Sequence, residues 1–219
     1  MSRYDLVIFD CDGVLVDSES LTIEIEAEAL TDLGFPITPD EVAERYSGMT
    51  SFDMAKAIEA ETGAPLHPDF LPRVRRQTRE AYRTRLEPIR GTEETLRALQ
   101  VPFCVASSSV PDKLALGLVE CGLFNLCYPN IFSAHLVERG KPAPDIFRYA
   151  AEKMGAAPTR CVVIEDSLAG VKGAVAAGMD CYGLLSGGHI RPGHGDALMK
   201  LGAVGVLSEL SELHEVLNG

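Results

Sequence analysis

Apolar runs of strand length recur at residues 6–9, 102–106, 161–164 and 181–185. Each leads into a loop rich in Asp, Ser or Gly and then into a helical pattern. The runs are almost continuously apolar where a half-exposed strand would alternate, so they predict a parallel sheet covered by helices on both faces. Helices are expected at 92–99, 111–120, 144–154, 168–177 and 208–217, with Gly122, Gly155 and Gly178 closing three of them. A weaker run at 128–132 is a candidate for one more strand. The fold class is α/β.

The strand–helix rhythm breaks between residues 18 and 87, where only helical segments follow one another, at 20–33, 39–46, 52–62 and 68–86. Gly34, Pro36, Pro39, Gly48, Gly63, Pro65 and Pro68 punctuate them, and Pro88 with Gly91 marks the return. The expected organisation is a core of residues 1–17 and 88–219 interrupted by an all-helical insert of residues 18–87. The insert leaves from the carboxyl end of the first strand, where open α/β sheets hold their ligands, so it is placed to act as a lid.

Composition narrows the partners. A chain of 219 residues with 46% apolar content can fill a core and an insert, and its 24% of charged residues is spread throughout. The net charge of -12 repels nucleic acid and anionic membranes, so neither is an expected partner, and an anionic substrate must meet local positive charge. No apolar run approaches the roughly 18 residues of a membrane span. The N-terminus enters a strand without the features of a secretory signal, so a soluble cytoplasmic protein is expected, with monomer as the default. The 6 cysteines form no CxxC pair, which argues against a zinc knuckle or disulfide framework and for reduced thiols.

Candidate chemistry concentrates in Asp10-Cys11-Asp12-Gly13-Val14-Leu15-Val16-Asp17-Ser18-Glu19, directly after the first strand. Two carboxylates one residue apart repel unless a cation relieves them, and magnesium, which takes carboxylate and phosphate oxygens, is suited to that. Gly13 permits a sharp backbone turn and keeps a phosphate site free of a side chain. A second acidic pair, Glu165-Asp166, faces the same cleft if the strand before it neighbours the first. Lys141, between Gly140 and Pro142, can balance phosphate charge, and Ser107 can offer its hydroxyl. Backbone N–H groups near Cys11, Asp12 and Ser108 can form a nest for phosphoryl oxygens. Singly, each has a plainer reading: a solvated acidic turn, charges at a helix N-terminus, a serine capping the helix after Val110, a surface lysine.

Together and in this order these residues resemble the haloacid dehalogenase superfamily, in its phosphatase branch with a small helical cap. The resemblance covers essentially the whole chain. The first motif, DxDGxxxDS, stands at Asp10 to Ser18; the serine motif at Ala106-Ser107-Ser108; the lysine motif at Gly140-Lys141-Pro142; the acidic motif at Glu165-Asp166-Ser167. It implies a Rossmann-like core, Mg2+ as cofactor, and a phosphatase acting in two steps. Asp10 would be the nucleophile, and Asp12, protonated, would serve the leaving alcohol and then deprotonate water. The metal would contact the Asp10 carboxylate, the Asp12 carbonyl and Asp166, with Glu165 nearby, while Lys141 and Ser107 hold equatorial oxygens. Cys11, Gly13 and Ser108 are expected against the substrate, a small phosphorylated metabolite such as a sugar phosphate or 6-phosphogluconate.

Two rival functions are weighed. The β-phosphoglucomutase group carries a cap-linker histidine where Thr22 stands here, and basic residues where Ser47 and Ser51 flank Gly48. A non-catalytic phospho-acceptor module needs neither the helical insert nor Asp12. Arg75, Arg79 and Arg83 line one face of the helix expected at 68–86; that face is either solvated and ion-paired, or, with Arg45, attracts a second acidic group of the substrate. His189 and His194 lie in a Gly-rich stretch that could suggest a soft-metal site but is read as a mobile loop at the edge of the site.

Overall fold

The computed structural model describes residues 3–46 and 49–218. Strands β1 (Leu6–Phe9), β2 (Phe103–Ser107), β3 (Ile131–Ser133), β4 (Cys161–Glu165), β5 (Asp180–Leu184) and β6 (Gly205–Leu207) form one sheet. Its order is β3-β2-β1-β4-β5-β6 and all neighbours are parallel. Between β1 and β2 run α1 (Ser18–Asp32), α2 (Pro39–Tyr46), α3 (Ser51–Thr62), α4 (Phe70–Arg85) and α5 (Thr92–Ala98). Then come α6 (Pro111–Glu120), α7 (Phe124–Cys127), α8 (Asp145–Met154), α9 (Leu168–Ala177), α10 (His194–Lys200) and α11 (Leu213–Asn218).

Both faces of the sheet are buried, which is why its strands read as continuous apolar runs. Leu6, Ile8, Cys104, Val163 and Cys181 point to one face, under Ile146, Phe147 and Ala150 of α8 and Val171 and Ala174 of α9. Val7, Phe9, Val105, Val162 and Ile164 point to the other, into an apolar cluster that continues without a break into Ile25, Leu30, Met54, Ile58, Phe70 and Tyr82 of the helical segment. Burying a side chain such as Phe9 contributes about 1.5–3 kcal/mol, so this shared cluster ties the segment to the sheet. Its two ends lie side by side: Asp17 N donates to Glu87 O at 2.9 Å and Ile89 N to Leu15 O at 3.0 Å.

The parallel register sets Phe9 opposite both Val105 and Ile164, so Asp10 leaves the sheet next to the carboxyl ends of β2 and β4. The strand order turns outward in both directions from β1, a switch point at which such sheets open a crevice.

Some local expectations shift. The weak run at 128–132 becomes a strand only at Ile131–Ser133, and Tyr128 is exposed and stacked on Phe124. The helix expected at 208–217 opens as a 3-10 turn at Leu210–Glu212 before α11. The six cysteines are all free thiols. On α4, Phe70, Val74, Ala81 and Tyr82 are buried while Arg73 pairs with Asp32, Arg85 with Glu24 and Arg76 with Asp69; Arg75, Arg79 and Arg83 are exposed. The ion pairs of this helix thus belong to the arginines beside that face. No helix among the described residues is long and apolar enough to cross a membrane.

Candidate active site

Three acidic side chains meet at the carboxyl ends of β1 and β4. Asp10, Glu165 and Asp166 are all buried and offer oxygens within 4.8 Å of one another. Lys141, its side chain only 4% exposed, enters from the loop before α8 and donates to Asp10 Oδ1 and Glu165 Oε1, each at 2.6 Å. Glu165 is engaged on its other oxygen as well, accepting from the N–H and the hydroxyl of Ser167, both at 2.9 Å. Ser167 also caps α9 by accepting from Gly170 N at 3.0 Å. A Cβ at Gly170 would lie 1.7 Å from Glu165 Oε1, so the absent side chain is what admits this carboxylate beneath the helix. With both oxygens bonded, Glu165 braces Lys141 while lying within reach of Asp10 and Asp166.

One ammonium does not balance the cluster. Burial raises the proton affinity of Asp10 well above the carboxylate norm; Lys141 opposes this and the negative charges of Glu165, Asp166 and Asp12 add to it. The second oxygens, Asp10 Oδ2 and Asp166 Oδ1, have no hydrogen-bond partner among the described residues. Hard oxygen donors with excess negative charge are the donor set that suits Mg2+. The residues fit such an ion through Asp10 and Asp166.

Asp12 occupies a different environment. Ser18 and Ser109 hydroxyls donate to it at 2.6 Å, Tyr82 at 3.3 Å and Ser107 at 3.4 Å, and Lys113 Nζ lies 3.1 Å from Oδ1. Burial would raise its pKa, but Lys113 and the hydroxyls of Ser109 and Ser18 outweigh burial and hold it well below the usual carboxylate range. These donors favour the ionised form of Asp12, whereas the general acid that the resemblance implies for the first step must carry a proton. Beside it, burial and the charge of Asp12 push the Glu19 pKa up to about 7. Ser107 accepts from Ser109 N at 3.0 Å and does not cap α6, whose N-cap is Val110.

Lys113 is a residue that the sequence reading passed over, and its weight is measurable. Lys113→Met is expected to destabilise the metal-free protein by about 1–2 kcal/mol at pH 7, discounted for the exposed third of the lysine. The depressed pKa of Asp12 contributes stability above its unfolded value near about 3.9 and loses it as pH falls toward the folded value. The difference between wild type and variant in urea melts should therefore narrow below about pH 4.

Asp166 is held from the loop after β5. His189 Nε2 lies 2.9 Å from Asp166 Oδ2, and His194 Nε2 donates to the Asp166 carbonyl at 2.6 Å. The histidines read as part of a loop at the site's edge thus both contact an acidic residue of the cluster. Gly13 has a φ of 79°, and a Cβ there would sit 2.0 Å from Asp166 Oδ2, so the first-motif glycine makes room for the carboxylate.

The remaining candidates are placed less centrally. The Cys11 side chain is buried in the apolar cluster, leaving only its backbone to the site. Ser108 is exposed. Arg45 is exposed and pairs with Glu61 at 2.5 Å, and none of its described contacts reaches the acidic cluster. Thr22 donates to Ser18 O at 2.8 Å, and Ser51 donates to Glu26 at 2.6 Å. Ser47 and Gly48 lie outside the described residues.

The chain is similar to known proteins over most of its length. The family model described as haloacid dehalogenase-like hydrolase matches residues 4–178. The 6-phosphogluconate phosphatase of Escherichia coli is 28% identical over 193 residues, covering 88% of this chain and 87% of the relative. The fructose-1-phosphate phosphatase of the same organism is 32% identical over 186 residues, with 81% and 95% covered. A crystal structure of a HAD family hydrolase from Deinococcus radiodurans, with bound phosphate and sodium, superposes with a TM-score of 0.85 at 36% identity, covering 97% of this chain and 94% of that one.

Proposed function

This chain belongs to the haloacid dehalogenase-like hydrolase family, and from that premise we propose that it is a Mg2+-dependent phosphatase acting on a small phosphate monoester through an aspartyl-phosphate at Asp10. The observation that carries the reading is the Asp10 carboxylate, bonded to Lys141 through one oxygen at 2.6 Å and grouped with Asp166, with Asp12 held separately two residues on. A nucleophile in one environment and an acid–base group in another is the division of labour that phosphoryl transfer in two steps requires.

In the first step an Asp10 oxygen attacks phosphorus, the P–O bond to the substrate alcohol breaks, and the departing oxygen takes a proton from Asp12. In the second a water oxygen attacks the same phosphorus, the bond to Asp10 breaks, and Asp12 receives the water proton. Asp12 as a carboxylate ringed by hydroxyls and Lys113 is in the state the second step needs. The first step requires it to take up a proton and separate from Lys113. In this reading Lys141 and the Ser107 hydroxyl hold phosphoryl oxygens, and N–H groups near Cys11, Asp12 and Ser108 complete the nest. Mg2+ held by Asp10, Asp166 and the Asp12 carbonyl would supply neutralising charge for the phosphoryl group.

The helical segment of residues 18–87 is the cap in this reading. Ser18 and Tyr82 reaching Asp12 support it, since residues from both ends of the cap then share the site. A site closed by a small cap suits a compact ester. The named substrates of the two Escherichia coli relatives point to sugar phosphates and phosphorylated sugar acids, and the free buried thiols suit the reducing cytoplasm.

The test is phosphate release from a panel of sugar phosphates and sugar-acid phosphates, with and without Mg2+. Multiple turnover that requires Mg2+ is expected and ranks the substrates. Absence of release from every ester by a folded sample would overturn the reading in favour of a mutase or a binding module.

A further inference from the structure

We propose that His189 is a positioning residue for metal binding: its Nε2–H fixes Asp166 through Oδ2 and leaves Oδ1 turned to the cation. The inference rests on the reading of Asp166 as a metal-holding carboxylate.

The ring is 8% exposed and its Nε2 stands 2.9 Å from Asp166 Oδ2. A carboxylate oxygen only accepts, so the ring nitrogen facing it carries the proton. Two glycines shape the slot. A Cβ at Gly187 would come within 2.6 Å of His189 Cε1 and 2.7 Å of Nδ1, and one at Gly13 would come within 3.0 Å of Cε1. The ring is therefore fixed in orientation by close approach of backbone on two sides, and its bond to Asp166 is aimed by the fold.

The loop that carries it is anchored on either side. His194 Nε2 donates to the Asp166 carbonyl at 2.6 Å, so the same residue is held by side chain and by backbone. Arg191 donates to Asp40 of α2 at 3.0 Å, and a Cβ at Gly188 would lie 2.7 Å from Ser20 Oγ of α1. A free aspartate must lose side-chain rotation when it takes a cation. An aspartate already bonded at one oxygen has lost it, and partners of this kind typically contribute 10–100-fold in metal affinity.

The experiment is calorimetric titration of the substrate-free, chelator-stripped protein with Mg2+ alone, on wild type, His189→Phe, His189→Gln and Gly187→Ala. His189→Phe keeps a planar ring without a donor and is expected to weaken Mg2+ binding by about 10–100-fold. His189→Gln can return an N–H to the Nε2 position and should recover most of that loss. Gly187→Ala leaves the donor but displaces the ring, should weaken binding in the same direction, and decides the matter if the phenylalanine variant does not fold. At saturating Mg2+, kcat should return close to wild type in each folded variant. Equal Mg2+ affinity in wild type and His189→Phe, or no recovery in His189→Gln, overturns the role of the N–H while leaving the metal site standing. No Mg2+ binding by wild type overturns the metal reading itself, and the positioning role with it.

Discussion

Asp10→Asn is expected to lower kcat for phosphate release on the order of 10^4-fold or more while leaving the metal-free protein at least as stable as wild type. The loss follows from replacing the attacking oxygen by an amide: Glu165 is bonded through both oxygens, Asp12 is held by Lys113 and hydroxyls, and Asp166 is held through Oδ2 by His189. The stability follows from electrostatics. Burial and the charges of Glu165, Asp166 and Asp12 raise the Asp10 proton affinity well above its ordinary value despite Lys141, so the ionised form is a cost to the fold. The amide removes that cost, and Lys141 retains Glu165.

The sign can be checked with pH. Because the folded state binds the Asp10 proton more tightly than the unfolded chain, wild-type stability falls as pH rises above the unfolded value near about 3.9. Asp10→Asn lacks this dependence, so its advantage in metal-free urea melts should grow from about pH 4 toward neutrality. A variant that melts roughly 2–4 °C or more below wild type at pH 7 has lost about 1 kcal/mol and would show that the charge stabilises the fold. Turnover retained in a folded Asp10→Asn sample would remove Asp10 from the reaction.

Sequence was legible where local pattern and chemistry coincide. Asp10 and Glu165 end strands whose apolar runs are unmistakable, and β1, α2, α6 and α9 begin and end at the residues expected of them. Lys113 and His189 were harder because their partners are distant in sequence and reach them only after folding. Lys113 nevertheless left a trace: it sits in the first turn of α6, where the helix dipole disfavours a cation, so a tertiary carboxylate was called for. Gly170 left another, a glycine in the first turn of α9 whose reason is the Glu165 side chain beneath it. His189 had no such trace, since the glycines around it read equally as a flexible loop and as a tight slot. The elements β6 and α10 were too short to show a period.

Lys141→Met should be the most destabilising of the substitutions considered, by about 3–5 kcal/mol without metal, because it strips a cation bonded to two buried carboxylates. Burial disfavours the ammonium, but Asp10 and Glu165 outweigh burial and raise its pKa above that of a free lysine. A raised lysine pKa contributes stability that is complete below the unfolded value near about 10.4 and is lost only as pH climbs through the folded value. The Lys141 ammonium is therefore fully charged at neutral pH. In the variant, Asp10 can escape repulsion from Glu165 by taking up a proton, so the deficit should shrink in melts run at lower pH and shrink again when Mg2+ is added. Catalysis should not recover with stability: losing a preorganised cation at the phosphoryl oxygens costs on the order of 10^2-fold or more in kcat. Lys141→Arg is expected to fail too, since the ammonium is enclosed between two carboxylates at 2.6 Å and the Phe147 ring at 5.0 Å, a slot without room for a planar guanidinium. A Lys141→Met protein that melts with wild type at pH 7 would show that the ammonium does not stabilise the buried cluster, and the charge argument for the whole site would have to be rebuilt.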